Sequence, residues 1–139
     1  MKLNNENKEG SRILPESKAG KLAETILLLD HSIRSVGIID QLGVPMAGAI
    51  RKDLRGELPQ DKRAWESKAF RAAAIMGSAR TDDGTDSTII SIELIRENSK
   101  TLLVWVPEKK VTLAIVFEMG KSGAELSDAV RRHVGLVRT

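Results

Sequence analysis

Along the chain, apolar residues recur at spacings of three and four in three segments and alternate or cluster in five short runs, which predicts three helices and five strands. From Lys18 to His31, with Ile33 just beyond, the positions Leu22, Ile26, Leu29 and Ile33 form the stripe of an amphipathic helix, and Leu27 and Leu28 widen it. A stripe that broad needs a second surface to cover it, either the N-terminal segment or a neighbouring subunit.

Arg34 to Asp40 and Val44 to Ile50 read as strands joined by Gln41-Leu42-Gly43, a tight turn in which Gly43 can supply positive φ. In the first run Val36 and Ile38 point one way and Ile39 the other, as in a strand covered on both faces. Pro45 cannot donate to a ladder, which places the second strand at a sheet edge. Residues 51 to 60 are polar, contain Gly56 and Pro59, and gather Arg51, Lys52 and Arg55. They read as an exposed crossing, and as a candidate contact for an acidic partner.

Asp61 is a plausible N-cap for a second helix, along which Trp65, Ala69, Ala72, Met76 and Ala79 recur at spacings of three and four. The stretch from Ala72 to Ala79 is poor in bulk, so this helix can approach a sheet or another helix closely. After a turn at Thr81 to Asp86 come three strands, Ser87 to Arg96, Thr101 to Val106 and Val111 to Glu118, with hairpin-length connections at 97–100 and 107–110. One face of each strand carries, in turn, Ile90, Ile92 and Leu94; Leu102, Val104 and Val106; and Leu113, Ile115 and Phe117. Ser122-Gly123-Ala124-Glu125 has the form of a capping box and opens a third helix. Leu126, Ala129, Val130 and Val134 supply its apolar side, and Arg131, Arg132 and Arg138 place cations near its C-terminal end.

A chain of 139 residues, 41% hydrophobic and 29% charged, fits one domain with one core, here assigned to 18–139 after a lead-in over 1–17 that has little to bury. Lys and Arg total 22 against 19 acidic residues, so nucleic acid is not implied. Cysteine is absent, which removes disulfides, thiolate nucleophiles and cysteine-based metal sites. With no apolar segment long enough for a signal or a membrane span, the expected setting is cytoplasmic.

No motif carries chemistry. Gly120-Lys121-Ser122 sits between a strand and a helix, but a phosphate-cradling loop needs a glycine where Ile115 stands. Asp82, Asp83 and Asp86 lack the remaining ligands of a calcium loop and suit a turn. His31 and His133 belong to no paired-ligand motif, and Ser78 lacks the context of a nucleophile elbow. The reading is therefore an α+β protein without catalytic residues, cofactor or metal. Among the four aromatic residues, Trp65 is either a core residue or an interface anchor, and Trp105 is read as core.

The succession α-β-β-α-β-β-β-α resembles the roadblock/dynein-light-chain family, with Val36-Gly37-Ile38-Ile39-Asp40-Gln41-Leu42-Gly43-Val44-Pro45 similar to its strand–Asp–x–x–Gly–strand hairpin, and Thr101 to Glu118 similar to its last hairpin. The resemblance covers about Leu22 to Val137. It implies a five-stranded antiparallel sheet flanked by helices, and a homodimer in which the second helix and the adjoining strand pair across a two-fold axis. The candidate dimer residues are Trp65, Ala69, Ala72, Ala73, Met76, Ile90 and Ile92. It also implies scaffolding or regulation of a small Ras-like GTPase, with Arg51, Lys52 and Arg55 as candidate partner contacts. A profilin- or PAS-like sensory domain enclosing a small ligand is the alternative, and an enclosed apolar pocket would mark it. Nucleic-acid binding through the cations is a third reading, against which stands the lack of aromatic residues among them.

Overall fold

The computed structural model describes residues 16–54, 71–77 and 91–135. Helix α1 (Glu16–Leu27) leads into strands β1 (Ile33–Asp40) and β2 (Pro45–Ile50), followed by a 3-10 turn at Lys52–Leu54. A helical segment at 71–77, here α2, precedes β3 (Ser91–Ile95), β4 (Lys100–Val106), β5 (Val111–Phe117) and α3 (Gly123–His133). The strands form one sheet in the order β2-β1-β5-β4-β3 with every neighbouring pair antiparallel, so the α+β architecture expected from the pattern is present.

One face of the sheet carries Val36, Ile38, Leu102, Val104, Val106, Val111, Leu113, Ile115 and Phe117, and α1 and α3 close over it. From α1 come Ala19, Ala23 and Ile26, fully buried, and from α3 Leu126 and Val130. The deepest α1 positions are thus two alanines and an isoleucine, with Leu22 and Leu27 half-buried beside them, because small side chains let the helix lie close to the strands. The opposite face is covered too: Ser35, Ile39, Leu103 and Thr112 are all buried. Met76 of α2 and Leu54 are buried as well, outside the first cluster.

Helix α1 stops earlier than the apolar spacing suggests, at Leu27 rather than His31. Leu29 N–H donates to the Ile26 carbonyl in a tightened last turn, and Asp30 Oδ1 then accepts from both the Ser32 N–H (2.8 Å) and the Ser32 hydroxyl (2.6 Å). A carboxylate bonding two residues ahead competes with helix continuation and turns the chain into β1. Leu28 is consequently left in the open, 83% exposed.

The β1–β2 hairpin follows the sequence reading. Gly43 has φ of +87°, and Asp40 Oδ1 accepts from the N–H groups of Leu42 (2.8 Å) and Val44 (2.9 Å). The register slips between Ile38, opposite Ala47, and Ile39, opposite Pro45, which leaves Met46 as the extra residue of a bulge. At α3, Ser122 caps the helix by accepting from Glu125 N–H at 3.3 Å, which is one half of the expected capping box, while the Glu125 carboxylate turns to Lys121; Gly135 (φ +79°) follows the helix end.

Candidate functional site at the sheet edges

A sheet with a covered core and two terminal strands presents its unused hydrogen-bonding capacity at those strands. On the β2 side, Arg51 N–H donates to the Arg34 carbonyl at 2.9 Å. Antiparallel alternation then turns the backbone groups of Ala49 and Ala47 inward to β1 and those of Gly48 and Ile50 outward. On the β3 side, Arg96 N–H donates to the Ser99 carbonyl at 2.9 Å. The same alternation turns Leu94 and Ile92 inward to β4 and leaves Ser91, Glu93 and Ile95 facing out.

The side chains of Ile92 and Leu94 lie on the sheet face of Leu103 and Thr101, half-buried, while Ile95 is 66% exposed. Ser91 and Glu93 lie on the α3 face: Ser91 Oγ is 3.3 Å from Ser127 Oγ, and the Glu93 side chain fills the space that a side chain at Gly123 would occupy. The Nε atom of Arg131, beside this corner, is buried without a hydrogen-bond partner.

Along β2 runs a broad groove of about 1370 Å³, bounded by Leu27 at the end of α1, by Leu28 just beyond it, and by Arg51 and Lys52. As lined by the described residues it is partly open to solvent, unlike the fully enclosed pocket that would mark a ligand-sensing domain. Around its end lies a polar network that ties distant segments together. The Arg51 guanidinium donates to Asp53 (2.8 Å), to Glu118 (3.1 Å) and to the His31 carbonyl (2.7 Å), stapling the end of β2 to the end of β5 and to the α1–β1 loop. Lys121 bridges Asp30 (3.0 Å) and Glu125 (3.6 Å), and Lys100 donates to the Lys121 carbonyl. Hydrogen bonds from the Ser32 hydroxyl and N–H, with the Lys121 ammonium beside them, hold the Asp30 carboxyl down at a pKa of about 2. Lys121 is therefore engaged with carboxylates, in accord with the capping rather than the phosphate-loop reading of 120–122.

The residues singled out from the sequence fall into distinct places. Ala72 and Ala73 are half-buried in α2 and Ile92 is half-buried on β3, whereas Met76 is wholly buried within a single copy and packs inward. Trp65, Ala69, Ile90, Arg55, Ser78 and Asp82, Asp83 and Asp86 lie outside the described residues. Arg51 is half-buried in its network and Lys52 is exposed. Trp105 is half-buried on β4, and His133 Nε2 lies 3.2 Å from Thr25 Oγ1. Among the described residues no group of His, Asp and Glu is placed to hold a metal ion, and no helix is long and apolar enough to cross a membrane. The bonding of Arg51 had no local signal, since its partners Glu118 and His31 lie 67 and 20 positions away.

No protein-family model matches the sequence, and no curated protein matches it. Solved structures do match. The roadblock/LC7 domain from Streptomyces avermitilis superposes with a TM-score of 0.65 at 11% identity, over 84% of this chain and 91% of that one. MglB of Myxococcus xanthus gives 0.66 at 12% identity, over 89% and 93%. The gliding protein MglB from Thermus thermophilus gives 0.61 at 15% identity, over 88% and 93%. The fold of the chain is that of a roadblock domain.

Proposed function

We propose that this chain is a non-enzymatic interaction module that forms a homodimer through the β3 edge and α2, and that it serves as a scaffold or regulator of a small Ras-like GTPase. The observation that carries the reading is that β3, apolar at Ile92, Leu94 and Ile95, is the terminal strand of a roadblock-type sheet, with no strand paired to its outer side among the described residues. Ala72 and Ala73 add a surface on α2 where two helices can approach closely. MglB, which shares the fold, has been described in a tetrameric arrangement, so the fold is compatible with self-association. The GTPase role rests on the roadblock resemblance.

Sedimentation of the full chain at micromolar concentration tests the dimer: the expected mass is twice that of the chain, and a strictly monomeric protein removes the main support. For the GTPase, the test is binding to Ras-like GTPases purified from the same cell, each loaded with GDP or with a non-hydrolysable GTP analogue. Selective binding to one nucleotide state is expected, and absence of binding in both states overturns the regulatory part.

A further inference from the structure

We propose that β2 is a second self-association edge, at which two copies pair antiparallel about a two-fold axis at Gly48. Resting on the β3 dimer as its starting unit, this pairing extends dimers into larger, even-numbered assemblies. Strand β2 reads PMAGAI and carries no charge, unlike β3, whose outward set includes Glu93. An edge strand without charge lacks a common guard against pairing; only Pro45 and the bulge at Met46 shorten it, both at its N-terminal end.

The choice of a second copy as occupant follows from the register. Gly48 and Ile50 turn their backbone groups outward, so an axis at Gly48 lets each Gly48 exchange N–H···O=C bonds with its equivalent. The same axis sets Ala47 against the partner's Ala49, and Ile50 against the partner's Met46. Every pair from Met46 to Ile50 is small or apolar, and no like charges meet, which is the condition for an isologous contact.

The surroundings agree. Leu28, 83% exposed, lines the groove at the C-terminal end of β2, near Arg51 and Lys52. Antiparallel pairing carries to that end the partner's Pro45 and Val44, and Val44 is 52% exposed in a single copy. This is the second surface that the over-wide stripe of α1 requires. Of the groove's charged groups, Arg51 is paired with Asp53 and Asp30 with Lys121. Glu24 and Lys52 remain, one of each sign, so the groove selects neither an acidic nor a basic peptide. A strand this short buries less than the roughly 800 Å² per partner of a standard interface, so the contact joins preformed dimers at high concentration.

The test is sedimentation velocity of the full chain from about 10 μM to about 1 mM, spanning the range in which weak protein contacts saturate. Even-numbered species beyond the dimer are expected to grow with concentration. Gly48→Pro removes an outward N–H and leaves the inward bonds of Ala47 and Ala49 in place, and a Cβ there sits at an ordinary contact distance, 3.4 Å, from the Val36 carbonyl. It is expected to return the protein to dimers with an unchanged circular dichroism spectrum. Leu28→Lys, which leaves the β2 backbone intact, is expected to do the same. Wild-type dimers that never grow, leaving the edge to an extended segment of another protein, overturn the proposal, as does growth indifferent to both variants. Ile92→Lys separates the two edges. If it abolishes the dimer while pairing sensitive to Gly48→Pro persists at high concentration, both readings stand. A dimer broken by Gly48→Pro and indifferent to Ile92→Lys supports β2 pairing and sinks the β3 dimer.

Discussion

Among the described residues strands β2 and β3 both end the sheet with no strand on their outer side, yet β3 turns the backbone groups of Ser91, Glu93 and Ile95 outward whereas β2 turns out those of Gly48 and Ile50 in a strand without charge. A two-fold axis at the middle of β3 would set Glu93 against its own copy. In the proposed β3 dimer the axis therefore has to lie away from Glu93, which makes Glu93 a candidate register pin as well as an edge charge. At β2 the central residue is Gly48, and the centred register carries no penalty. The lesson is that a single charged residue at the centre of an edge decides which self-pairing register is open to it.

The largest expected effect comes from placing a charge at an apolar position of β3. Ile92→Lys puts two ammonium groups near a two-fold axis and removes a half-buried apolar contact. The dimer dissociation constant should rise by about 100-fold, equivalent to about 3 kcal/mol. Analytical ultracentrifugation reads this directly, and an unchanged constant means the dimer is held elsewhere.

Removing Arg51 should loosen the β2 edge alone. Arg51→Ala deletes the hydrogen bonds to Asp53, Glu118 and the His31 carbonyl, and the side chain is more than a quarter exposed, so the cost is about 1 kcal/mol. Amide exchange should accelerate at Ala47 and Ala49 while β4 and β5 keep their protection. Uniform acceleration over all five strands would show that Arg51 supports the whole fold and not one border.

The two borders were unequally legible in the sequence. Pro45 marked β2 as an edge, Gly43 marked the turn before it, and the alternation of Leu113, Ile115 and Phe117 marked a core-facing strand, because each of these signals is local. The end of α1 was not visible: Leu28, Leu29 and Ile33 continue the helical spacing, and the tightened turn on Ile26 and the bonds of Ser32 to Asp30 that follow carry no periodic signal. Arg51 looked like one of three cations awaiting a partner, because nothing near it in sequence reveals Glu118 across the sheet. Met76 fitted the small-residue stripe equally well as an interface or a core residue, and only its complete burial separates the two.

Acid offers a smaller perturbation of the β2 side. Because the Asp30 carboxyl titrates at about 2 in the folded chain, below its ordinary value of 3.8, its ionised form stabilises the fold above about pH 4. That contribution is lost as the pH falls from about 4 toward 2. With the side chain partly solvated, the loss should be about 1 kcal/mol. Asp30→Asn should flatten this part of the stability profile, as read by urea unfolding at a series of pH values. A variant that keeps the wild-type slope would place the titration elsewhere.

The smallest effect is expected at the β3 side, where α3 begins. The Glu93 side chain occupies the room left by Gly123, so Gly123→Ala brings a methyl group into its carboxylate end. The obstacle is the tip of a flexible side chain and not backbone, so Glu93 swings aside, and the better helix propensity of alanine offsets part of the cost. Stability should change by less than about 0.5 kcal/mol. The displaced carboxylate, however, belongs to the one charged residue of β3. If Glu93 sets the register of β3 from its present position, the dimer constant should shift by about two- to threefold, a difference of about 0.5 kcal/mol. Should the constant stay fixed while Glu93→Gln alters it, the charge of Glu93 matters and its packing against α3 does not.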